Sequence, residues 1–303
     1  MILVFGTICI DRMRLAPVLP PPGGYIEITE ERFLLGGEAA NTANALVGWG
    51  TETLLCGNAV GMGRDGILLQ ELLNQKRLPL ADIAKKDSQP PTPVCDIYVT
   101  PDGERTMFGV GFSTMEIGID VEQIPYEPTA WFTAEPNMPK ASVLAARLAR
   151  DAGMQIYLMD FEESTGVLSP GVFWQSSTDW AGRRGNMQKN VAWVNDWVDR
   201  HGCFAILSDG PNGFVAGSPE HPVRSYPPFP APKVVDTTGA GDLFRAGMLF
   251  GLSQNWQIAH CLQFASAAGC LKCRAVGATT DVPTVAEIVA HVEKHRSVSD
   301  QYL

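Results

Sequence analysis

From Trp131 to Ser208 the chain repeats one rhythm: a short apolar run, a stretch with helical spacing, then another apolar run. Trp131-Phe132-Thr133, Gln155 to Met159 and Phe204 to Ser208 have the length and bulk of strands, and 140–152 and 186–201 read as helices. Strands joined through helical crossovers lie parallel, and a parallel sheet is covered on both faces. This rhythm predicts an α/β chain with three αβα layers around a mainly parallel central sheet. At 303 residues and 45% hydrophobic content the chain can fill such a core, and residues 1–303 read as a single domain without internal repeats.

The flanks extend the pattern. Residues 1–10 predict a buried first strand, Glu38 to Trp49 a helix, Leu54-Leu55-Cys56 a short strand, and Gly63 to Arg77 another helix, and the C-terminal part of the chain after Gly239 is rich in helical spacing. Two excursions interrupt it. The Pro17–Pro22 segment and Gly23-Gly24 precede YIEITEERFLL, which alternates as a strand with one wet face does. Gln89-Pro90-Pro91-Thr92-Pro93 precedes extended runs at 94–100 and 105–110, with the hairpin signal Pro101-Asp102-Gly103 between them. These excursions, within about 12–35 and 90–115, are expected to join as a small second sheet, a lid. Its exposed edges invite strand pairing between two chains, and hence a homodimer.

Charge narrows the partners. The formal net charge is -10, and no Lys/Arg run exceeds Arg183-Arg184, which argues against a nucleic-acid partner. Seven scattered cysteines form no disulfide framework and suit a reducing cytoplasm. The start, MILVFGTICIDRM, has no basic leader or cleavage site, and no uncharged run approaches a membrane span. Cys270 and Cys273 make a lone C-x-x-C, and His291 and His295 have no third ligand, so neither pair predicts a zinc site. There is no G-x-x-x-x-G-K-[ST] phosphate loop, and no G-x-G-x-x-G follows the first strand, which counts against a dinucleotide dehydrogenase.

The run VVDTTGAGDLFRAGML, 234–249, carries the chemistry. Gly239, Ala240 and Gly241 let backbone approach a ligand closely, and a helix opening there directs free N–H groups at the loop, an anion site. Asp242 would repel that anion, yet it is well placed to accept a proton from a hydroxyl attacking a phosphate. Read alone, the same residues also make an ordinary turn and a helix-capping acid.

Other blocks decide between the two. DTTGAGDLFRAGML resembles the C-terminal signature of the ribokinase-like (PfkB) carbohydrate kinases. GGEAANTANALVGWG resembles their N-terminal Gly-Gly-x-x-x-Asn helix start, and GNAVGMGRDGILLQELL the block after it. SDGPNG resembles their Thr-x-Gly-x-x-Gly nucleotide loop, and FASAAGCLKCRAVGA the segment closing around adenine and a monovalent cation. The blocks occur in family order over nearly the whole chain. The resemblance implies an ATP-dependent kinase of a sugar hydroxyl, using ATP, Mg2+ and K+, in which lid closure excludes water. It makes Asp242 the catalytic base, with Gly239, Ala240 and Gly241 as oxyanion donors. Asp11, Gly36, Gly37, Asn41 and Glu135 would hold the sugar-like substrate, with Glu38 facing it or serving as a first-turn acid. Ser208, Gly210, Gly213, Thr238, Ser266 and Cys270 would line the nucleotide. Asp236, Thr238, Ala275 and Gly277 would hold a potassium-like ion.

One departure stands out. Where the family carries Asn-x-x-Glu to organise Mg2+, the best local match is Ser176-x-x-Asp179, with Asp179 reaching the metal through water. Arg183, Arg184 and Lys189 lie close by in sequence and read as a solvated face. That departure motivates a second reading, a catalytically weak sugar- or nucleotide-binding regulatory protein. Within the kinase class, Arg12, Arg14 or Arg105 could greet an acidic or phosphorylated sugar, and Phe108 and Phe112 could stack a nucleobase in a nucleoside kinase.

Overall fold

The computed structural model describes residues 1–85, 90–101, 105–180, 182 and 186–303. Gln89, Asp102, Gly103, Arg183 and Arg184, to which the sequence assigned a breaker, a turn and a charged face, lie outside the described residues.

The main sheet has the strands β1 (Ile2–Gly6), β4 (Thr53–Gly57), β7 (Trp131–Ala134), β8 (Gln155–Met159), β9 (Phe173–Ser177), β10 (Phe204–Ser208), β11 (Phe214–Ser218) and β12 (His221–Tyr226). Their spatial order is β12-β11-β10-β9-β8-β7-β1-β4. All pairs from β4 to β10 are parallel, and only β10-β11 and β11-β12 run antiparallel. On β1, Ile2 and Val4 pack into the core beneath α1 (Glu38–Gly48), α5 (Ala240–Ser253) and α6 (Ile258–Lys272), while Leu3 and Phe5 pack toward α3 (Pro139–Asp151) and α4 (Met187–His201). A strand buried on both faces reads as an unbroken apolar run, which is why ILVF signals the sheet so clearly.

Residues 1–10 are not one strand. The chain leaves the main sheet after Gly6 and enters a second sheet at Cys9, as β2 (Cys9–Leu15). Side chains from distant segments take the backbone at the switch. Glu135 accepts from the Thr7 N–H, and Asn58 both accepts from the Ile8 N–H (2.8 Å) and donates to the Ile8 carbonyl (2.9 Å). The second sheet has the order β3-β2-β5-β6, with β3 (Glu30–Gly36), β5 (Val94–Val99) and β6 (Arg105–Val110). The two excursions thus meet, although residues 25–29 stay outside β3. The strand β9 and the β11-β12 hairpin have no counterpart in the sequence reading.

Side chains opposite one another in register share a face. Asp11, Cys95 and Gly109 lie on one face of the small sheet, with Met13, Ile97 and Met107 beside them. Arg12, Asp96, Phe108 and Phe33 lie on the other. Arg12 and Arg14 therefore face away from Asp11, and both bind Asp96. Neither is placed to greet a substrate acid. Phe108 stands on that same outer face, 57% exposed and edge-on to Tyr98, whereas Phe112 lies against Gly109 on the Asp11 face and packs against the α3 side of the core. No helix among the described residues is long and apolar enough to cross a membrane.

Candidate active site

The parallel strands end along one edge of the main sheet, and the polar residues following them gather there, as ligand sites do in open α/β sheets. Glu135 follows β7, Asp160 follows β8, Ser176 is the last residue but one of β9 and Ser208 ends β10. Asp242 reaches this edge from the first turn of α5.

Asp242 is 6% exposed and accepts a 2.8 Å hydrogen bond from Asn41 Nδ2 on α1. Arg245, fully buried one turn later, donates from Nε to Thr42 Oγ1 (2.9 Å) and from Nη2 to the Glu38 carbonyl (2.6 Å), and its guanidinium lies 3.8 Å from Asp242. Burial raises the Asp242 carboxyl above its ordinary range, while the Arg245 charge and the Asn41 bond pull it back down. Helix α1 and helix α5 are therefore clamped around one carboxylate by side chains from both.

The loop before α5 has a fixed shape. Gly239 caps the helix in the left-handed region at φ 80°, and a Cβ there would lie 2.5 Å from that of Ala278, so this position requires glycine. The Ala240 N–H is engaged by the Thr237 carbonyl at 3.2 Å, which removes one of the three expected oxyanion donors. Gly241 and Asp242 remain first-turn donors with no intrahelical acceptor, and Gly241 is exposed.

Asp11 lies on β2, in the small sheet, and not at the end of a main-sheet strand. A Cβ on Gly36 would sit 2.1 Å from its carboxylate oxygen, so the missing side chain at 36 is the space Asp11 fills. Burial raises Asp11 to about 7 against the lowering hydrogen bond from the Cys9 thiol, with smaller raising contributions from the charges of Asp242 and Asp236. The folded chain thus holds a proton that the unfolded chain has lost between about pH 4 and 7, and stability falls as pH rises through that window. Asp11→Asn is expected to melt higher than wild type at pH 8, by on the order of 2 kcal/mol, and to lose that advantage at pH 5. Melting curves at the two pH values check this.

Glu135 is fully buried, and its Oε2 has no hydrogen-bond partner. Asn137, absent from the sequence reading, lies between Thr7 Oγ1 (3.1 Å), Glu135 and Glu38 (both 3.4 Å). Glu38, partly exposed, is held well above the usual carboxylate range by burial and by Glu135. Gly37 joins Gly36 to α1, its backbone against Thr7.

Asp160 and Arg245 were also missed. Ser176 donates to Asp160 at 2.6 Å, and burial lifts Asp160 to about 6 against the lowering effects of Ser176 and Arg245. The signal for Asp160 was its place just after a strand, in a chain whose other strand ends are polar. Arg245 carries no such signal, because an arginine inside a helix reads as surface. Asp179 is exposed on the turn after β9, and Lys189 is exposed in the first turn of α4.

The nucleotide-loop residues follow β10. Ser208 Oγ donates to the Ser176 carbonyl (3.3 Å), Gly210 opens a short turn, and Gly213 ends it. Asp209 ties this turn to β9 by accepting from Thr178 Oγ1 at 2.8 Å. Ser266 does not present its hydroxyl to open space. It is 8% exposed, and Tyr302 near the C-terminus bridges it (2.9 Å) to the Pro227 carbonyl (2.6 Å). Cys270, one turn on, is partly exposed.

The residues expected around potassium do assemble, but they are already satisfied. Asp236 accepts from the Thr238 N–H (2.9 Å) and hydroxyl (2.7 Å), and its other oxygen accepts from the Gly277 N–H (2.8 Å). The Ala275 carbonyl accepts from the Lys272 ammonium at 3.0 Å. A second cation beside that ammonium would meet like charge, so these residues do not fit a resident potassium ion. No cluster of three His, Cys, Asp or Glu suited to a metal occurs among the described residues. A magnesium ion carried on phosphates needs only one or two carboxylates, and Asp160, raised by burial in the absence of a cation, fits that demand.

A three-layer sheet with a small side sheet, a glycine-hinged helix N-terminus and a clamped aspartate defines a phosphotransferase of the ribokinase fold. Residues 178–285 match the family described as pfkB family carbohydrate kinase. The chain is 30% identical to an uncharacterised sugar kinase of Dictyostelium discoideum, over 95% of this chain and 96% of that one. It belongs to the pfkB family of carbohydrate kinases. It is also 24% identical to a nucleoside kinase of Methanocaldococcus jannaschii, covering 96% of each chain. Its fold superposes on the ribokinase of Arabidopsis thaliana complexed with ribose and ATP, with a TM-score of 0.74, 20% identity, and 96% and 97% of the two chains covered.

Proposed function

We propose that the chain transfers the γ-phosphoryl group of Mg-ATP to a hydroxyl of a small sugar-like polyol, with Asp242 as general base. The observation that carries this reading is the Asn41–Asp242–Arg245 clamp. It fixes one buried carboxylate beside two first-turn N–H groups at the strand-end edge. Asn41 orients Asp242 so that its free oxygen can take the acceptor proton, while the Gly241 and Asp242 N–H groups steady the charge on the transferring phosphoryl. Asp11 and Glu135, buried on either side of the β1–β2 switch, offer acceptors for the other substrate hydroxyls. ATP lies along the 208–213 turn and past Cys270. Asp160, with Asp179 through water, would hold the Mg2+ that neutralises the phosphates. Arg105, at the start of β6, donates to Thr237 (2.8 Å) and Thr238 (3.3 Å), so it ties the small sheet across the phosphate-side loop as a lid latch.

A sugar is favoured over a nucleoside by the likeness to a sugar kinase over nearly the whole chain and by Phe108, which is turned away from Asp11, although the ring of Phe112 lies against Gly109 on the Asp11 face. The test is ADP release with Mg-ATP across ketoses, aldoses, sugar acids, phosphosugars, inositols and nucleosides. Turnover confined to sugars or polyols supports the reading, nucleoside turnover replaces it with a nucleoside kinase, and ATP binding without any turnover favours a regulatory protein. The exposed Phe33, Phe108 and Val110 on the outer face of the lid are where two chains would pair as a homodimer. A monomer in sedimentation at working concentration would remove that assignment.

A further inference from the structure

We propose that the ammonium group of Lys272 serves as this chain's own monovalent cation, so that its phosphate-side loops need no bound potassium. The inference rests on the kinase reading for its functional meaning, but its geometry stands apart from it.

Lys272 ends α6, where a lysine ordinarily points to water and eases the helix dipole. Here it is fully buried, and its Nζ is directed at the Ala275 carbonyl, 3.0 Å away. Burying an ammonium is costly unless fixed dipoles and an opposite charge receive it. Burial lowers the Lys272 pKa, and the largest opposing influence is the charge of Asp236. Asp236 is 4% exposed and joins two loops, bonding the Thr238 amide and hydroxyl on the α5 side and the Gly277 amide on the α6 side. One carboxylate, one carbonyl and one buried cation thus lie between the loop that opens helix α5 and the loop that follows α6.

A monovalent ion in such a place draws carbonyl and carboxylate oxygens from two loops together. The lysine supplies that charge while covalently attached, without the ordering cost of capturing an ion: it holds the Ala275 carbonyl directly and attracts Asp236 through space, while Arg105 approaches the same carboxylate at 3.8 Å from the lid. Lys76 repeats the device nearby, its Nζ donating to the Thr279 carbonyl at 2.7 Å, and Thr279 Oγ1 donates to the Leu35 carbonyl at 2.9 Å. The 275–279 segment is therefore held by two lysine side chains.

The test compares potassium chloride, sodium chloride and choline chloride at equal ionic strength. The readouts are the melting temperature of the ligand-free chain and the Kd for Mg-ATP, neither of which needs the acceptor substrate. Wild type is expected to melt within about 1 °C in the three salts, because an ion that binds only the folded state would raise stability with its concentration. Its Mg-ATP Kd is expected to change less than about 2-fold. Lys272→Met is expected to become selectively potassium-responsive, with Mg-ATP binding tightened about 5-fold or more by potassium over choline. A wild-type chain that melts several degrees higher, or binds Mg-ATP several-fold tighter, in potassium alone overturns the proposal. So does a folded Lys272→Met that is as salt-indifferent as wild type. Should Lys272→Met fail to fold, the wild-type comparison still decides, and Lys272→Arg, which keeps the charge, is expected to remain salt-indifferent. A chain indifferent to potassium that binds no ATP would keep the built-in cation and sink the kinase reading, so the two failures are distinguishable.

Discussion

Asp242→Asn is expected to lower kcat for phosphoryl transfer by about 10³-fold while leaving the Kd for ATP within a few-fold of wild type. The amide is nearly isosteric, and its oxygen can still accept from Asn41 Nδ2 at the present 2.8 Å, so α1 and α5 stay clamped. What is lost is proton acceptance from the attacking hydroxyl. Wild-type turnover carries a second signature. Burial lifts the Asp242 pKa above the ordinary carboxylate value, and the base works only when ionised. The rate therefore rises with pH through that raised pKa and then levels. Single-turnover rates of both chains from pH 5 to 9 check both points. A variant retaining more than about a tenth of wild-type activity would move the base to another carboxylate, with Asp11 first in line.

The architecture was legible where packing writes directly into sequence. Double-sided burial makes β1, β7, β8 and β10 largely apolar runs, whereas the alternation that suggested β3 lies mostly in residues 25–29, outside a strand that passes from exposed to buried along EERFLLG. The strand β9 was not legible because its residues, FWQSS, turn polar toward the site: Gln175 donates to the Gly241 carbonyl (3.0 Å) and Ser176 to Asp160. The β1–β2 switch was hidden because ILVFGTICI is apolar but for Thr7, and Glu135 and Asn58, far off in sequence, mark the break by capturing the Thr7 and Ile8 backbone. The site was legible in its glycines and its aspartates. It was not legible in its cations, because Arg245 and Lys272 sit on helices at positions that local spacing cannot tell from surface, and only the docking of α5 and α6 buries them.

Replacing Arg245 with methionine is expected to destabilise the fold by about 3–5 kcal/mol and to shift the pH–rate profile, a combination that separates it from an ordinary core change. Methionine keeps much of the volume and none of the charge. The Glu38 carbonyl and Thr42 hydroxyl lose their donors at 2.6 and 2.9 Å, so α1 loses its tie to α5. The larger consequence is electrostatic. The Arg245 charge holds down the carboxyls of Asp242, Asp160 and Glu38. Without it each pKa rises further, and ionising all three at one strand-end edge becomes harder. The variant's instability is therefore expected to be larger at pH 8 than at pH 6, where the acids can take up protons. Its acid limb of activity moves to higher pH, because Asp242 now ionises later. Denaturant melts at the two pH values and a kcat profile read these effects separately. Arg245→Lys, which restores charge but not the forked contacts, should recover most of the pH shift and only part of the stability. A variant that merely melts early, with the wild-type pH profile, would reduce Arg245 to packing and leave the ionisation of Asp242 to Asn41 alone.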